Sequence, residues 1–378
     1  MVRAELLTVG PRGRRLCLDL ACRLDHVLSY AAFDRGYELD PGKGTSVQRL
    51  MAFPPGTTQE EMDAARATED ARPVPRVAEI AGLLTQVPLP AAGPSQVHVA
   101  EALADSVATA MYWQPPDGQD VLAGHGELDD GLARVAAWLA PHAPDWWTAP
   151  MADHQWALGW WGHDPGERSG SVTEWRDRAL AEEERSARMR RENRVDYPGE
   201  GWSPTPGLRP ADVDAPISGT WWSFPDGVQS TRAVEGVPLG LDLTEDAGGA
   251  EDVQVAAVQS RAGARVLEID DPQVWVDLCR AHPLEVTCSR RHDWYRVTGR
   301  DGRWVVPDWA AVAETYDAVH LTTAAYLAGA TRALAVDAET ATMIAGWGPD
   351  ATQWLTPVQI GPAHSRGYDQ RAEAWVAR

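Results

Sequence analysis

Hydrophobic and polar positions recur with different periods along this chain, dividing it into a helix-containing first part and a mixed last part. Between Val99 and Trp113, Leu103, Val107, Ala110 and Met111 fall at helical spacing. Pro115-Pro116-Asp117-Gly118 must end that helix, because proline supplies no N–H and clashes with the preceding turn. A second helix is predicted from Glu127 to Leu139, with Leu128, Leu132, Val135 and Leu139 on one side, so the two form a helical hairpin. Upstream, Met1–Leu20 reads as a strand, with Arg12, Arg14 and Arg15 ahead of an apolar Leu16-Cys17-Leu18. The aromatic stretch from Asp145-Trp146-Trp147 through Trp156 to Trp160-Trp161 is predicted to be β-rich.

The pattern changes after residue 163. Ser171-Val172-Thr173-Glu174 has the form of a capping box, and Glu184/Arg188 and Arg188/Glu192 are i,i+4 pairs. Apolar residues are sparse there, so 171–194 is expected to be a solvated connecting helix, with an arginine-rich binding helix as the alternative. Tyr197–Pro216, rich in Pro and Gly, reads as a linker or covering loop.

From Ile217 to Val358 several short strands alternate with few helices. Strands are predicted at Gly263–Ile269, Leu284–Thr287, Trp294–Thr298, Arg303–Val306, Asp317–Leu321, Leu334–Val336 and Thr352–Leu355. Two sizeable helices are predicted, one opened by Asp271-Pro272 and one running from Asp308-Trp309 to Tyr316. This pattern fits an α+β fold: a mixed or antiparallel split sheet with few helices, preceded by a helix-containing N-terminal region. The expected divisions are 1–163, a 164–216 connection, 217–358, and a 359–378 tail, loosely attached and ending in a short helix at Gln370–Val376.

Composition adjusts this outline in two places. The chain carries 18 Trp against 3 Phe, which points to wet aromatic binding surfaces or, equally, to an aromatic core. Its formal net charge of -21 repels phosphate backbones and argues against general nucleic-acid or anionic-membrane binding. The sequence shows no apolar stretch of signal-peptide or membrane-span type, and four cysteines without a disulfide-like arrangement fit a reducing compartment, so a cytoplasmic location is expected.

Most familiar chemistries lack their framework. Gly36 to Gly42-Lys43-Gly44 misses the P-loop spacing and its Ser or Thr. Cys279, His282, Cys288 and His292 follow a C-x2-H-x5-C-x3-H pattern that would suit zinc. However, Cys279 fits an apolar helix face and His282 a helix C-terminus, so no metal is expected. Gly-x-Ser-x-Gly is absent. A distributed set remains, comprising Gly219-Thr220-Trp221-Trp222-Ser223, Ser230-Thr231-Arg232, Asp317 and His320, then Asp350 and Thr352. Strand alternation places Asp317 and His320 on opposite faces, so one of the two is structural.

Three segments of this set carry a resemblance. Trp221-Trp222-Ser223, Tyr316–Thr322 (YDAVHLT) and Gly346–Leu355 (GWGPDATQWL) together resemble an uncharacterised group of proteins from high-GC bacteria and their phages. The layout is in turn similar to that of ADP-ribosyltransferases. That similarity implies a cleft in a split sheet that takes NAD as substrate, with a protein as the possible acceptor. It also implies Asp350 and Ser223 as catalytic residues, and Trp222, Ser230, Thr231 and His320 as NAD-binding residues. Asp350 stands where the group carries Glu, one methylene longer, which puts the reach to the ribose in doubt. The competing expectation is a non-catalytic interaction module that binds a protein or carbohydrate through Trp-rich surfaces.

Overall fold

The structure is a computed structural model that describes residues 1–42, 51–166, 170–196, 207–245, 252–259, 263–369 and 374–377. Lys43 and Gly44, weighed above for a phosphate loop, lie outside the described residues, as do 197–206 of the linker. The fold is α+β, with helices mainly N-terminal and mixed and antiparallel sheets C-terminal.

Among the described residues, seven α-helices build the first part: α1 (Pro11–Leu24), α2 (His26–Leu39), α3 (Gln59–Asp70), α4 (Val77–Gln86), α5 (Gln96–Ala108), α6 (Gly118–Ala123) and α7 (Asp129–Leu139). Both predicted helices are present, as α5 and α7, but α6 intervenes and each packs on α1 instead of on the other, so they form no hairpin. The predicted N-terminal strand is instead α1. Pro11 sits in its first turn, and residues Arg12, Gly13, Arg15–Leu18, Leu20 and Ala21 are all buried. The run Leu16-Cys17-Leu18 is too short for its period to separate strand from helix, and Pro11 in the first turn was the available helix signal. Helices α2, α5, α6 and α7 surround it.

Its two buried arginines are compensated from several directions. Arg12 ion-pairs with Asp120 and donates to Ser106 O at 2.7 Å and to Thr331 Oγ1 at 3.2 Å. Arg15 meets Asp19 at 2.8 Å, Asp117 at 2.9 Å and Asp120 at 3.0 Å.

The last part contains β2 (Gln229–Thr231), β3 (Ala233–Val234), β4 (Val237–Pro238), β5 (Asp252–Gln259), β6 (Val266–Ile269), β7 (Pro283–Glu285), β8 (Arg303–Pro307), β9 (Ala318–Leu321), β10 (Leu334–Ala335), β11 (Thr340–Thr342) and β12 (Ala351–Trp354). Four helices accompany them: α9 (Pro272–Ala281), α10 (Thr287–Thr298), α11 (Trp309–Thr315) and α12 (Thr323–Gly329). Further strands are β1 (Gln155–Trp160), β13 (Gln359–Ile360), β14 (His364–Asp369) and β15 (Ala374–Ala377).

The main sheet runs β15-β14-β5-β1-β2-β12-β9-β6, with β13 also on β5; only β6 and β9 are parallel. A second sheet, β10-β11-β8-β7, lies beside it. Strand β1, which sequence patterning groups with the first region, pairs with β5 and β2 and so belongs to this sheet by its hydrogen bonds. The tail contributes edge strands, and Ala374–Ala377 is extended where a terminal helix was predicted.

Trp294–Thr298, predicted as a strand for its aromatic and β-branched residues, is the end of α10. The charged connecting helix, α8 (Val172–Glu192), overrides that propensity. Its Glu183 carboxylate accepts from Cys288 N and Ser289 N, both at 2.8 Å, at the positive end of α10. Gly299, at φ +69, then ends α10 in the left-handed region. Helix α8 keeps its predicted capping box, but buries Trp175, Ala179 and Met189 and packs against α10 and α11, so it is a docked element.

Tryptophan is chiefly a core residue here. Trp275, Trp309 and Trp347 are fully buried and in mutual contact, with ring centroids 5.7–6.0 Å apart. Each indole N–H is satisfied, by Thr342 Oγ1, Ser223 O and Ala351 O respectively. Trp347→Ala is expected to cost about 3–5 kcal/mol of unfolding free energy, as for other buried large-to-small aromatic changes, measured by chemical denaturation.

Candidate functional site

Cross-strand register sorts the residues singled out above onto two faces of the main sheet. Glu268 on β6, His320 on β9, Thr352 on β12 and Ser230 on β2 occupy one row, with Ala157 of β1 continuing it. Side chains in one row share a face. Gln353, Gln229 and Thr231 point to the other face, as does Trp156 opposite Thr231.

The first face carries a buried charge chain. Asp350, fully buried, ends the Gly346–Pro349 loop at φ +57, a left-handed conformation that Asp tolerates better than most residues. Its carboxylate accepts from Arg232 Nε at 2.6 Å and from Arg232 N at 3.1 Å. His320 Nε2 lies 3.3 Å from Asp350 Oδ1, and His320 Nδ1 lies 2.5 Å from Glu268 Oε2. Glu268 also accepts from Met151 N at 3.0 Å, and Arg232 donates to Pro150 O at 2.7 Å. Burial by itself would lower the His320 pKa, but the hydrogen bonds to Asp350 and Glu268 outweigh it and raise the value above that of a free imidazole. The fold therefore favours the imidazolium more than water does.

The second face holds a cavity of about 190 Å3 over β1 and β2. Trp156, Trp160, Thr231, Gly240, Glu245 and Gly346 are among the residues that line it. Thr231 Oγ1 accepts from Gly240 N at 3.0 Å, which leaves its O–H directed by whatever else approaches. A Cβ on Gly346 would come within 2.8 Å of the Trp221 ring, and its φ of +71 suits glycine, so the loop lies close against Trp221-Trp222 only because residue 346 has no side chain. Gln229 also lines the cavity, and its amide nitrogen and the Gln353 side chain are buried without hydrogen-bond partners among the described residues.

The two faces divide the set derived from the sequence. Thr231 opens onto the cavity. Ser230 contributes to the cavity wall, but its hydroxyl is used on the other side, donating to Gln155 Oε1 at 3.0 Å and accepting from Trp354 Nε1 at 2.8 Å. Ser223 is fully buried and donates to Ala345 O at 3.1 Å while accepting Ala345 N at 3.0 Å, which makes it a clasp between two backbone segments. Trp222 packs against the Trp221 ring and near Gly346, beside the cavity rather than among its lining residues. His320 and Asp350 lie in the charge chain. Asp317, on the face opposite His320, accepts from Arg265 N at 2.9 Å. Arg232 belonged to the distributed set without a role of its own, and Glu245 and Glu268 were not singled out from the sequence. A lone acid within the apolar run Val266–Ile269 was the available signal for Glu268.

The zinc pattern disperses. Cys279 donates to Thr342 Oγ1 at 3.3 Å, and burial pushes its thiol up to about 12, away from the thiolate a metal requires. His292 Nδ1 lies 3.1 Å from Val213 O, and His282 closes the end of α9. Among the described residues no group of three or more His, Cys, Asp or Glu is placed to hold a metal ion. Nor is any described helix long and apolar enough to cross a membrane.

No protein-family model matches this chain, and neither a curated protein nor a solved structure matches it.

Asp350→Ala would strand Arg232 and His320 in a buried site, and a loss of about 3–5 kcal/mol in unfolding free energy is expected. His320→Gln gives a second expected outcome with a pH signature. Because the folded-state pKa is raised, the stabilisation from His320 is complete below the unfolded value of about 6.5 and is lost as pH rises through the folded value. The stability gap between wild type and His320→Gln, from urea titrations across pH, should therefore be widest at acidic pH and shrink at alkaline pH.

Proposed function

We propose that the cavity over β1 and β2 binds the nicotinamide–ribose end of NAD, and that the protein transfers ADP-ribose to a protein acceptor or to water there. One observation carries this reading: a carboxylate, Glu245, borders the same small cavity as a hydroxyl, Thr231, and two indoles, Trp156 and Trp160. Indole faces suit a flat cationic pyridinium ring. Cleavage breaks the bond between the ribose anomeric carbon and the nicotinamide nitrogen, and the bonding pair neutralises the pyridinium. The ribose passes through an oxocarbenium-like state that a nearby carboxylate stabilises. The acceptor oxygen then bonds to that carbon and releases its proton to solvent.

In this reading Glu245 takes the part expected of Asp350. Asp350 is saturated by Arg232 and His320 and has no surface from which to reach a ribose, while Ser223 is occupied with Ala345. Their contribution is to hold β2, β12 and the Gly346 loop around the cavity.

A second reading rests on a separate observation. Trp161 is 70% exposed at the end of β1, beside Trp160, whose ring meets Trp375 at 6.1 Å. Such a surface suits a non-catalytic module that stacks on a carbohydrate or a protein.

Purified protein incubated with NAD and cell lysate should release nicotinamide, and Glu245→Gln should lower the rate by at least about tenfold while the unfolding midpoint stays near wild type. Absence of NAD loss, together with absence of NAD binding by calorimetry, rejects the transferase. Quenching of tryptophan fluorescence by oligosaccharides that Trp161→Ala abolishes would then favour the binding module.

A further inference from the structure

A larger cavity, about 480 Å3, lies where the first part of the chain meets the segment after α12. Its lining includes three arginines, Arg12, Arg14 and Arg332, and two carboxylates, Asp120 and Asp129. Both carboxylates are committed. Asp120 pairs with Arg12 and Arg15, and Asp129 pairs with Arg14 at 2.8 Å. Arg332 is the remainder. It donates from Nη1 to Val9 O at 2.9 Å and to Ala328 O at 3.2 Å, and among the described residues it has no carboxylate partner. Carbonyl oxygens accept its hydrogen bonds without neutralising its charge. Half-burial depresses its pKa, and no acidic neighbour offsets that burial.

The backbone beside it is held in an uncommon state. Thr331 sits at φ +60, an outlier for a β-branched residue, and is buried. It is fixed there by its hydroxyl, which donates to Ala330 O at 2.7 Å and accepts from Arg12 Nε at 3.2 Å. Strain of this kind costs on the order of 1–3 kcal/mol and persists where surrounding structure over-determines it. Here the over-determining group is Arg12, and the outcome is a guanidinium delivered to the cavity wall. Val9, Met111 and Val297 supply apolar lining to the same cavity.

We infer that this cavity is a binding site for a small organic anion, a phosphate monoester or carboxylate carried on a compact apolar body, with Arg332 as the principal charge partner. The volume lies within the range of ordinary ligand pockets, and one uncompensated arginine in a cavity with apolar lining selects an amphiphilic monoester over a free inorganic ion. The site is separate from the cavity over β1 and β2 and does not depend on what that cavity binds.

Phenyl phosphate is the probe, with benzyl alcohol as its uncharged counterpart, both titrated calorimetrically into the full-length protein. Saturable binding of phenyl phosphate with none of benzyl alcohol is expected, weakened at least tenfold in Arg332→Gln. Val9→Trp, at a half-exposed position on the rim, should block binding without disturbing the charge. It serves as the deciding variant if Arg332→Gln does not fold. Glu245→Gln should bind phenyl phosphate as wild type does. Lack of saturable binding by wild type into the millimolar range, or equal binding by wild type and the folded variants, overturns the site.

Discussion

Burying the Asp350 carboxylate is the constraint around which the main sheet is organised. An ionised carboxylate without exposure is tolerable only with charged and hydrogen-bonding partners at close range. Those partners come from two strands and the residue that follows a third: Arg232 after β2, His320 on β9, and Glu268 on β6 behind the histidine. Satisfying one group therefore aligns β2, β12, β9 and β6. A one-residue slip of β12 would turn Thr352 and Trp354 to the wrong face and carry Asp350 away from Arg232 and His320.

The same physics joins the helical part to the sheet. Helix α1 is buried on nearly all sides, yet it carries Arg12 and Arg15, and their charge is answered by α6 and by the loop after α12. Removing these arginines from water demands partners from distant sequence, so the helical part is bound to the rest of the chain by more than apolar contact. Arg332 is the cation that this compensation leaves over, and it faces a cavity.

Structural duty also explains which polar residues remain available for chemistry. Ser223, Ser230 and Asp350 look like functional groups in a linear list, but each has its donors and acceptors consumed inside the protein. Thr231 and Glu245 line the cavity, Glu245 with electrostatic interactions of its own to Tyr112 and Tyr326. Most of the tryptophan excess is likewise absorbed by packing, as in the Trp275–Trp309–Trp347 cluster, with Trp161 the strongly exposed exception.

What the sequence determined by itself was whatever local chemistry controls. The α+β class, helices α5 and α7, the capping box of α8, the Asp271 and Asp308 caps of α9 and α11, and strands β9 and β12 follow from periodicity and from side chains that bond their own neighbourhood. Tertiary structure decided the remainder. It packed α1 as a helix among α2, α5, α6 and α7, made Trp294–Thr298 helical through a carboxylate supplied from α8, and drew β1 and the tail into the sheet. It also separated Thr231 from Ser230, Ser223 and Asp350 at the site. Each of these depends on which distant group satisfies a buried charge or hydrogen bond, and linear spacing carries no record of that partner.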